Sequence, residues 1–151
     1  MATDNPVTLQ LGVHTARSIQ ETAAIAAELL PLMLKSGVVS LEGPLGAGKT
    51  HFVKATALAM GITEDVTSPT FTLLQSYGSG DKRLHHSDWY RLESESEVLA
   101  LGLEDYYHDG LMFIEWGDKF SGILPPGTMR IRIEPQLVDT EEIRTFRWEI
   151  L

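Results

Sequence analysis

Residues 43–50 read Gly-Pro-Leu-Gly-Ala-Gly-Lys-Thr, and this segment constrains the fold more than any other part of the chain. It matches the pattern G-x-x-x-x-G-K-[ST], in which glycines let a loop turn tightly so that backbone N–H groups point at bound phosphates. Lys49 is expected to reach the terminal phosphates, and the hydroxyl of Thr50 is expected to hold a magnesium ion. The segment is therefore interpreted as a phosphate-binding P-loop rather than as a chance glycine-rich turn.

The residues on either side of this loop agree with that interpretation. Val38–Leu41 has the apolar character of a buried strand that runs into the loop. Residues 49–60 are typical of a helix, and Gly61 follows in the usual C-terminal cap position. The predicted order of strand, loop and helix directs the N-terminus of a helix at the phosphates.

Strand and helix patterns alternate along the rest of the chain. Further strands are predicted at residues 7–11, 71–77, 83–90, 111–114, 129–133 and 146–150, and further helices at 94–101 and 103–108. Residues 78–81 are turn-forming, so the strands on either side of them are expected to form a hairpin. A capping box at Ser18 and Glu21 begins the first helix, and Pro31 is expected to end or kink it near Leu30.

These patterns predict the fold class. We expect one P-loop ATPase domain over residues 1–151, because a chain of this length supports a single core. Alternating strands and helices with an inserted β-hairpin predict an α/β protein. Its expected architecture is a P-loop NTPase-like three-layer sandwich with a mixed central sheet.

Composition narrows the class of protein further. The chain has no cysteine, which excludes disulfides and thiolate zinc sites. Residues 1–6 lack the basic and then apolar order of a secretory signal, and no apolar run approaches the ~20 residues of a membrane helix. A cytoplasmic location is therefore expected.

The charge of the chain bears on its partners. With 21 acidic against 12 basic residues the formal net charge is −9, so tight direct binding of nucleic acid is not expected. Eight acids and no lysine or arginine lie between Leu92 and Asp118. This acidic stretch is either a solvated face or a docking surface for a basic partner protein.

Two carboxylates are candidates for chemistry beside the loop. Glu115 directly follows the apolar run at 111–114, where an acid at the end of a neighbouring strand would complete a magnesium site; a structural salt bridge is the alternative. Asp88 ends the segment 84–88 and would either orient water or hold the metal through a water molecule, or it is an ordinary surface residue at a strand end.

Other polar and aromatic side chains are weaker candidates. His85 and His86 are expected to face opposite sides of a strand and therefore not to chelate one metal together. His51 is interpreted as a packing or surface residue, and Trp116 as a core residue on the sequence alone. Tyr90 and Arg91 are expected to support the Asp88 segment, and an arginine finger is the less favoured interpretation of Arg91.

Taken in order, these segments resemble the TsaE (YjeE) family of bacterial P-loop ATPases over roughly residues 7–150. The similarity includes Glu21 and Thr22 of the capped helix and the loop itself. It includes three further blocks: Ser-Pro-Thr-Phe-Thr-Leu at 68–73, His-Ser-Asp-Trp-Tyr-Arg-Leu at 86–92 and Ile-Glu-Trp at 114–116. The first two of these blocks are far more specific than a P-loop.

The resemblance implies a role in making threonylcarbamoyladenosine on tRNAs that read codons beginning with adenine. It implies a weak ATPase that uses ATP and Mg²⁺, is stimulated by the TsaD–TsaB pair on which it docks, and meets tRNA only indirectly. The implied phosphate-binding residues are Pro44, Leu45, Gly46, Ala47, Gly48 and Lys49. By the same resemblance Thr50 and Glu115 bind magnesium, Asp88 orients water, Ser68 and Thr70 form a switch-like loop, Trp116 lies by the nucleotide and Arg144 packs near the base.

The chain departs from the family pattern at three positions, and two other classes of protein share its P-loop. Pro44, His51 and Gly117 stand where the family usually has aspartate, threonine and proline, and none of these changes removes a phosphate or metal ligand. A GTPase would need Asn-Lys-x-Asp and Asp-x-x-Gly motifs, which do not occur. A small-molecule kinase, which usually clusters arginines in a lid, and a non-hydrolysing ATP-dependent adaptor remain as alternatives.

Overall fold

A computed structural model describes residues 11–151 of the chain. The strand expected at residues 7–11 lies, except for Leu11, outside the described residues. The elements are β1 (Leu11–Ala16), α1 (Ile19–Ser36), β2 (Val38–Glu42), α2 (Lys49–Ala59), β3 (Leu74–Ser79), β4 (Lys82–Asp88), α3 (Glu95–Leu99), β5 (Leu111–Glu115), β6 (Met129–Val138) and β7 (Glu141–Ile150). Two 3₁₀ segments, Leu103–Asp105 and Gly117–Ile123, flank β5.

The strands form one mixed sheet in the order β1-β7-β6-β2-β5-β4-β3. β2 runs parallel to both β5 and β6, and β5 runs parallel to β4, whereas β3–β4, β6–β7 and β1–β7 are antiparallel. The parallel strands β2, β5 and β4 therefore end at the same edge of the sheet. Because Leu41 pairs with Glu115 and Glu115 pairs with Asp88, this register places the P-loop and both candidate acids side by side.

Two apolar cores lie on the two faces of this sheet. α1 and α2 cover one face, where Phe52 packs against Phe113 and Phe146. On the other face Trp89 and Ile114 pack with residues of α3 and of the 3₁₀ segments. Alternate residues of β5 enter opposite cores, which explains why all five of its residues are buried. The structure confirms the predicted three-layer α/β class, its mixed sheet and its hairpin.

The first helix differs from expectation at its C-terminal end. The capping box is present, since the Ser18 hydroxyl accepts a hydrogen bond of 3.1 Å from the Glu21 N–H. The expected end near Leu30 is wrong, because the helix continues through Pro31 to Ser36 and is capped by Gly37 at φ 78°. Leu29 and Met33 are both buried against the sheet, and this packing outweighs the backbone hydrogen bond that proline cannot donate.

Several strand and helix boundaries also differ. β3 begins at Leu74 rather than Phe71, and the helix expected at 103–108 is a single 3₁₀ turn. β6 and β7 are longer than predicted and form a hairpin whose two turn residues, Asp139 and Thr140, have φ values of 50° and 67°. No helix within residues 11–151 has the length and apolar character needed to cross a membrane.

Candidate active site

The P-loop connects β2 to α2 with a backbone that requires glycine. Gly43, Gly46 and Gly48 have φ values of 139°, 77° and 101°. A Cβ on Gly43 would lie 2.4 Å from the carbonyl oxygen of Ile133, so no larger residue fits there. Gly46 has no neighbouring atom within 4 Å of such a position, and there the backbone conformation alone demands glycine. The loop leads directly into the first turn of α2, which begins at Lys49.

Lys49 begins α2 and folds back over the loop. Its Nζ donates hydrogen bonds to the carbonyl oxygens of Gly43 and Pro44 at 2.7 and 2.9 Å. The same Nζ lies 4.3 Å from the centre of the Trp116 ring. Burial lowers the pKa of Lys49, and the nearby carboxylates of Glu115 and Asp88 act in the opposite direction. The two carbonyl oxygens thus hold the Lys49 side chain at the cleft, close to both carboxylates.

The two candidate acids lie at adjacent strand ends and are almost fully buried. Glu115 is 4% exposed and its Oε2 accepts a 3.0 Å hydrogen bond from the Thr50 hydroxyl. Asp88 is 5% exposed; it accepts hydrogen bonds from the Thr70 hydroxyl at 3.1 Å and from the Tyr90 N–H at 2.9 Å. Asp88 is thus not an ordinary surface residue. Within the described part of the chain no lysine or arginine forms a salt bridge with Glu115.

These residues surround one cleft of about 370 Å³. Of the residues predicted for the site, those that line it are Leu45, Gly46, Ala47, Gly48, Lys49, Thr50, Ser68, Thr70, Asp88, Glu115 and Trp116. The hydroxyls of Ser68 and Thr70 are 2.7 Å apart, which joins the 68–70 segment to Asp88. Trp116 is half-buried: it lines the cleft and also packs against the second apolar core.

Two predicted site residues lie outside the lining of this cleft. Pro44 contributes its carbonyl oxygen to Lys49 rather than a side chain. Arg144, on β7, lies against the loop at Gly48, where its Nε is 3.3 Å from the position of a Cβ. Its guanidinium donates to Glu142 at 3.2 Å. The structure therefore places Arg144 beside the P-loop and not among the residues that line the cleft.

His86 contacts a candidate acid of the site, which its sequence position did not predict. Its ring is fully buried, and its Nε2 lies 2.5 Å from Oε2 of Glu115. His85 contacts Ser76 and the backbone of Asp109 instead, so the expected opposite orientation of the two rings is confirmed. The alternation of side chains along a strand could have predicted this position of His86. It lies two residues before Asp88 and hence on the same face of the sheet.

The other secondary candidates are placed by their contacts. Tyr90 lines the cleft with its ring 5.1 Å from that of Trp116. The Arg91 guanidinium stacks 4.5 Å from the exposed ring of Phe71 and does not line the cleft. His51 also lines the cleft, and burial and the nearby Arg144 lower its pKa.

The donor set of the cleft suits a magnesium ion bound together with phosphates. Within residues 11–151 no cluster of three or more His, Cys, Asp or Glu residues forms a complete metal site. Magnesium commonly takes only one or two protein oxygens and completes its shell with water and substrate phosphates. The hydroxyl of Thr50 and the carboxylate of Glu115, in contact beside the glycine-rich loop, fit that demand.

The central strand, glycine loop and following helix, set in a mixed sheet, are those of a P-loop NTPase-like fold. The model of one family, "Threonylcarbamoyl adenosine biosynthesis protein TsaE", matches residues 16–143. The chain belongs to the TsaE family, and its role therefore lies in the biosynthesis of threonylcarbamoyladenosine in tRNA.

Individual relatives agree with this assignment. A tRNA threonylcarbamoyladenosine biosynthesis protein TsaE from Bacillus subtilis is 44% identical over 126 residues, which cover 82% of this chain and 78% of the relative. One from Treponema pallidum is 43% identical over 119 residues, covering 78% and 87% of the two chains. The crystal structure of Bacillus subtilis YdiB superposes with a TM-score of 0.68 at 32% identity, covering 92% of this chain and 86% of the other.

Proposed function

We propose that this protein binds and slowly hydrolyses Mg²⁺-ATP as an accessory ATPase of threonylcarbamoyladenosine synthesis. It acts while docked on the TsaD–TsaB pair, and the modified tRNAs are those that read codons beginning with adenine. Family membership supports the pathway. The observation that carries the ATPase assignment is the convergence of Lys49, Thr50, Asp88 and Glu115 on one cleft.

The proposed chemistry follows from what phosphoryl transfer requires. The reaction needs the phosphates held, their charge neutralised and a water molecule placed in line. Backbone N–H groups of the P-loop and Lys49 would hold the phosphates, and Thr50 and Glu115 would hold Mg²⁺, which neutralises charge on the phosphate oxygens. Asp88 would accept a hydrogen bond from the attacking water. The hydrogen bond from the Thr70 hydroxyl would hold the Asp88 carboxylate in place. The lack of guanine-recognition motifs favours ATP.

Weak turnover by the isolated protein and stimulation by partners are part of the proposal. Phosphoryl-transfer enzymes commonly use an arginine to stabilise the transition state. Within the described residues no arginine lines the cleft, which supports slow intrinsic hydrolysis and also disfavours a small-molecule kinase. A net charge of −9 supports indirect contact with tRNA through the partner proteins.

Phosphate release tests the ATPase assignment. It is measured for the wild type, Lys49→Ala and Glu115→Ala, each alone and with TsaD–TsaB. We expect turnover only in the wild type and a higher rate with the partners. Equal rates in all three proteins would contradict the catalytic assignment. ATP binding without turnover under every partner condition would support the adaptor, and phosphate on a small acceptor would support a kinase.

A pull-down with purified TsaD–TsaB tests the docking step. The protein is immobilised with ATP, with ADP or without nucleotide, and the retained partners are quantified. We expect retention to depend on the nucleotide, because the 68–70 segment contacts Asp88 at the cleft and would report the γ-phosphate. Absence of retention in all three conditions would remove the partner assignment.

A further inference from the structure

We infer that His86 is the positioning residue for the Glu115 carboxylate, and through it for the divalent cation of the cleft. The inference rests on the proposed function, since it assigns a role within the same site. His86 itself lies behind Glu115, fully buried, and is not among the residues that line the cleft. It therefore acts through the carboxylate rather than on the nucleotide.

The two side chains are in hydrogen-bond contact inside the protein. His86 Nε2 lies 2.5 Å from Glu115 Oε2, and the two side chains are 0% and 6% exposed. A carboxylate this deeply buried is costly unless donors surround it. The nearest donors are the ring N–H of His86 and the hydroxyl of Thr50, both on Oε2. In the described residues the other oxygen, Oε1, makes no hydrogen bond.

Because both hydrogen bonds are on Oε2, the role of His86 is to orient the Glu115 carboxylate. With both hydrogen bonds on Oε2, one orientation of the carboxylate is favoured, and Oε1 stays available for a cation or for its bound water. The Thr50 hydroxyl restrains Oε2 from the side of the cleft, whereas the fully buried His86 restrains it from the interior. Loss of a hydrogen-bond partner behind a metal ligand typically weakens metal affinity 10- to 100-fold.

The strand geometry of β4 explains why His86 contacts Glu115 and the neighbouring His85 does not. His86 pairs with Phe113 in β5, and Phe113 lies two residues before Glu115. The His86 side chain is on the same face of the sheet as that of Asp88. His85 is equally buried but faces the other side, where Ser76 Oγ lies 2.7 Å from its Nδ1. His85 is thus a matched control for the loss of a buried imidazole from β4.

The test measures cation affinity rather than turnover. Mn²⁺ binding to the full chain with ADP is followed by electron paramagnetic resonance for the wild type, His86→Asn, His86→Gln and His85→Gln. The amide nitrogen of glutamine can occupy the position of the histidine Nε2. The asparagine side chain is too short for its amide nitrogen to reach Glu115 Oε2. We expect a roughly tenfold weaker Mn²⁺ affinity in His86→Asn, near-wild-type affinity in His86→Gln and no change in His85→Gln.

A second background separates positioning from general damage. We expect Glu115→Gln to have reduced Mn²⁺ affinity, and adding His86→Asn to it should change that affinity less than about twofold. Metal-free ADP affinity should stay the same in all His86 variants. His86→Phe, which keeps the ring volume without a donor, replaces His86→Asn if circular dichroism shows that the asparagine variant does not fold, and the same tenfold loss is expected.

The outcomes distinguish this inference from the proposed function. If the wild type binds no Mn²⁺ with nucleotide, the proposed function is wrong and the inference with it. If the wild type binds Mn²⁺ and His86→Asn or His86→Phe binds it equally well, the positioning role of His86 is wrong and the proposed function stands. An equal loss in His85→Gln, or a further tenfold loss in the Glu115→Gln background, would also overturn the positioning role.

Discussion

Single residues at the cleft are held by partners from distant parts of the chain. Thr50 on α2 donates to Glu115 at the end of β5, and Thr70 in the loop before β3 donates to Asp88 at the end of β4. Each hydroxyl thereby satisfies a carboxylate that is at least 95% buried. Asp88 and Glu115 are distinguished by these partners: Glu115 contacts a P-loop residue, whereas Asp88 contacts the 68–70 segment.

The first prediction concerns Asp88 as the water-orienting acid. Asp88→Asn keeps an oxygen that can accept from the Tyr90 N–H but removes the carboxylate, so we expect phosphate release in the presence of TsaD–TsaB to fall about 100-fold. ATP affinity, measured by calorimetry, should change less than threefold, because the P-loop contacts are intact. Asp81→Asn, at the exposed turn of the β3–β4 hairpin, is the control and should keep the wild-type rate. An unchanged rate in Asp88→Asn would remove Asp88 from the mechanism.

Elements are stabilised here by packing more than by local propensity. α1 continues through Pro31 because Leu29 and Met33 are buried in the larger core. The β6–β7 hairpin likewise tolerates two non-glycine residues with positive φ at its turn, because ten residues of each strand are paired. Both features leave local strain that substitution can relieve.

Pro31→Ala tests the strain in α1. Pro31 is exposed, so alanine removes no core contact and restores a helical N–H donor. We expect the free energy of unfolding, measured by urea denaturation, to rise by about 1–3 kcal/mol. Gln20→Ala, an exposed substitution in the same helix, should stay within about 0.5 kcal/mol of the wild type. A less stable Pro31→Ala would mean that the proline is favourable in its place.

Thr140→Gly tests the strain in the β6–β7 turn. Thr140 has φ 67°, a conformation that costs a β-branched residue roughly 1–2 kcal/mol and costs glycine little. After the entropic cost of glycine we expect a gain of about 0.5–1 kcal/mol in unfolding free energy. Thr140→Ala keeps the Cβ and should give no such gain. Equal thermal denaturation midpoints for the two variants would contradict this account of the turn.

The whole molecule presents its acids unevenly. The acidic stretch from Leu92 to Asp118 has eight acids, and seven of them are exposed. Six of the seven lie on or around α3 and the first 3₁₀ segment, and the seventh, Asp118, follows β5. Glu115 is the buried one. The exposed position of these carboxylates is compatible with both alternatives, a solvated face and a docking surface for a basic partner. Their contribution to association is therefore measurable by charge reversal.

The prediction at this scale compares two double variants of equal net charge. Glu95→Lys with Glu104→Lys reverses two exposed acids of the acidic stretch, and Glu28→Lys with Asp81→Lys reverses two exposed acids elsewhere. If the stretch docks on TsaD–TsaB, the first variant should associate about tenfold more slowly at low salt and the difference should shrink at high salt. Surface plasmon resonance measures both rates. Identical rates for the two variants would identify the stretch as a solvated face.

Local features of the chain were predictable because local physics determines them. Glycines with positive φ specify the turn of the P-loop, the apolar run before it specifies a buried strand, and the Ser18 cap begins α1. The same local logic put Glu115 at the end of a buried strand and His85 and His86 on opposite faces. It failed at Pro31, where a helix rule was outweighed by contacts with the sheet.

By itself the sequence determined the P-loop, the α/β class, the family resemblance and the candidate acids, since each depends on residues that are close together in the chain. Only the tertiary structure decided which of them meet. The strand order β2-β5-β4 aligns Thr50, Glu115 and Asp88, turns His86 toward Glu115 and leaves Arg144 outside the lining of the cleft. The physical reason is that strand pairing joins segments separated by dozens of residues, and burial then selects which polar side chains must satisfy one another.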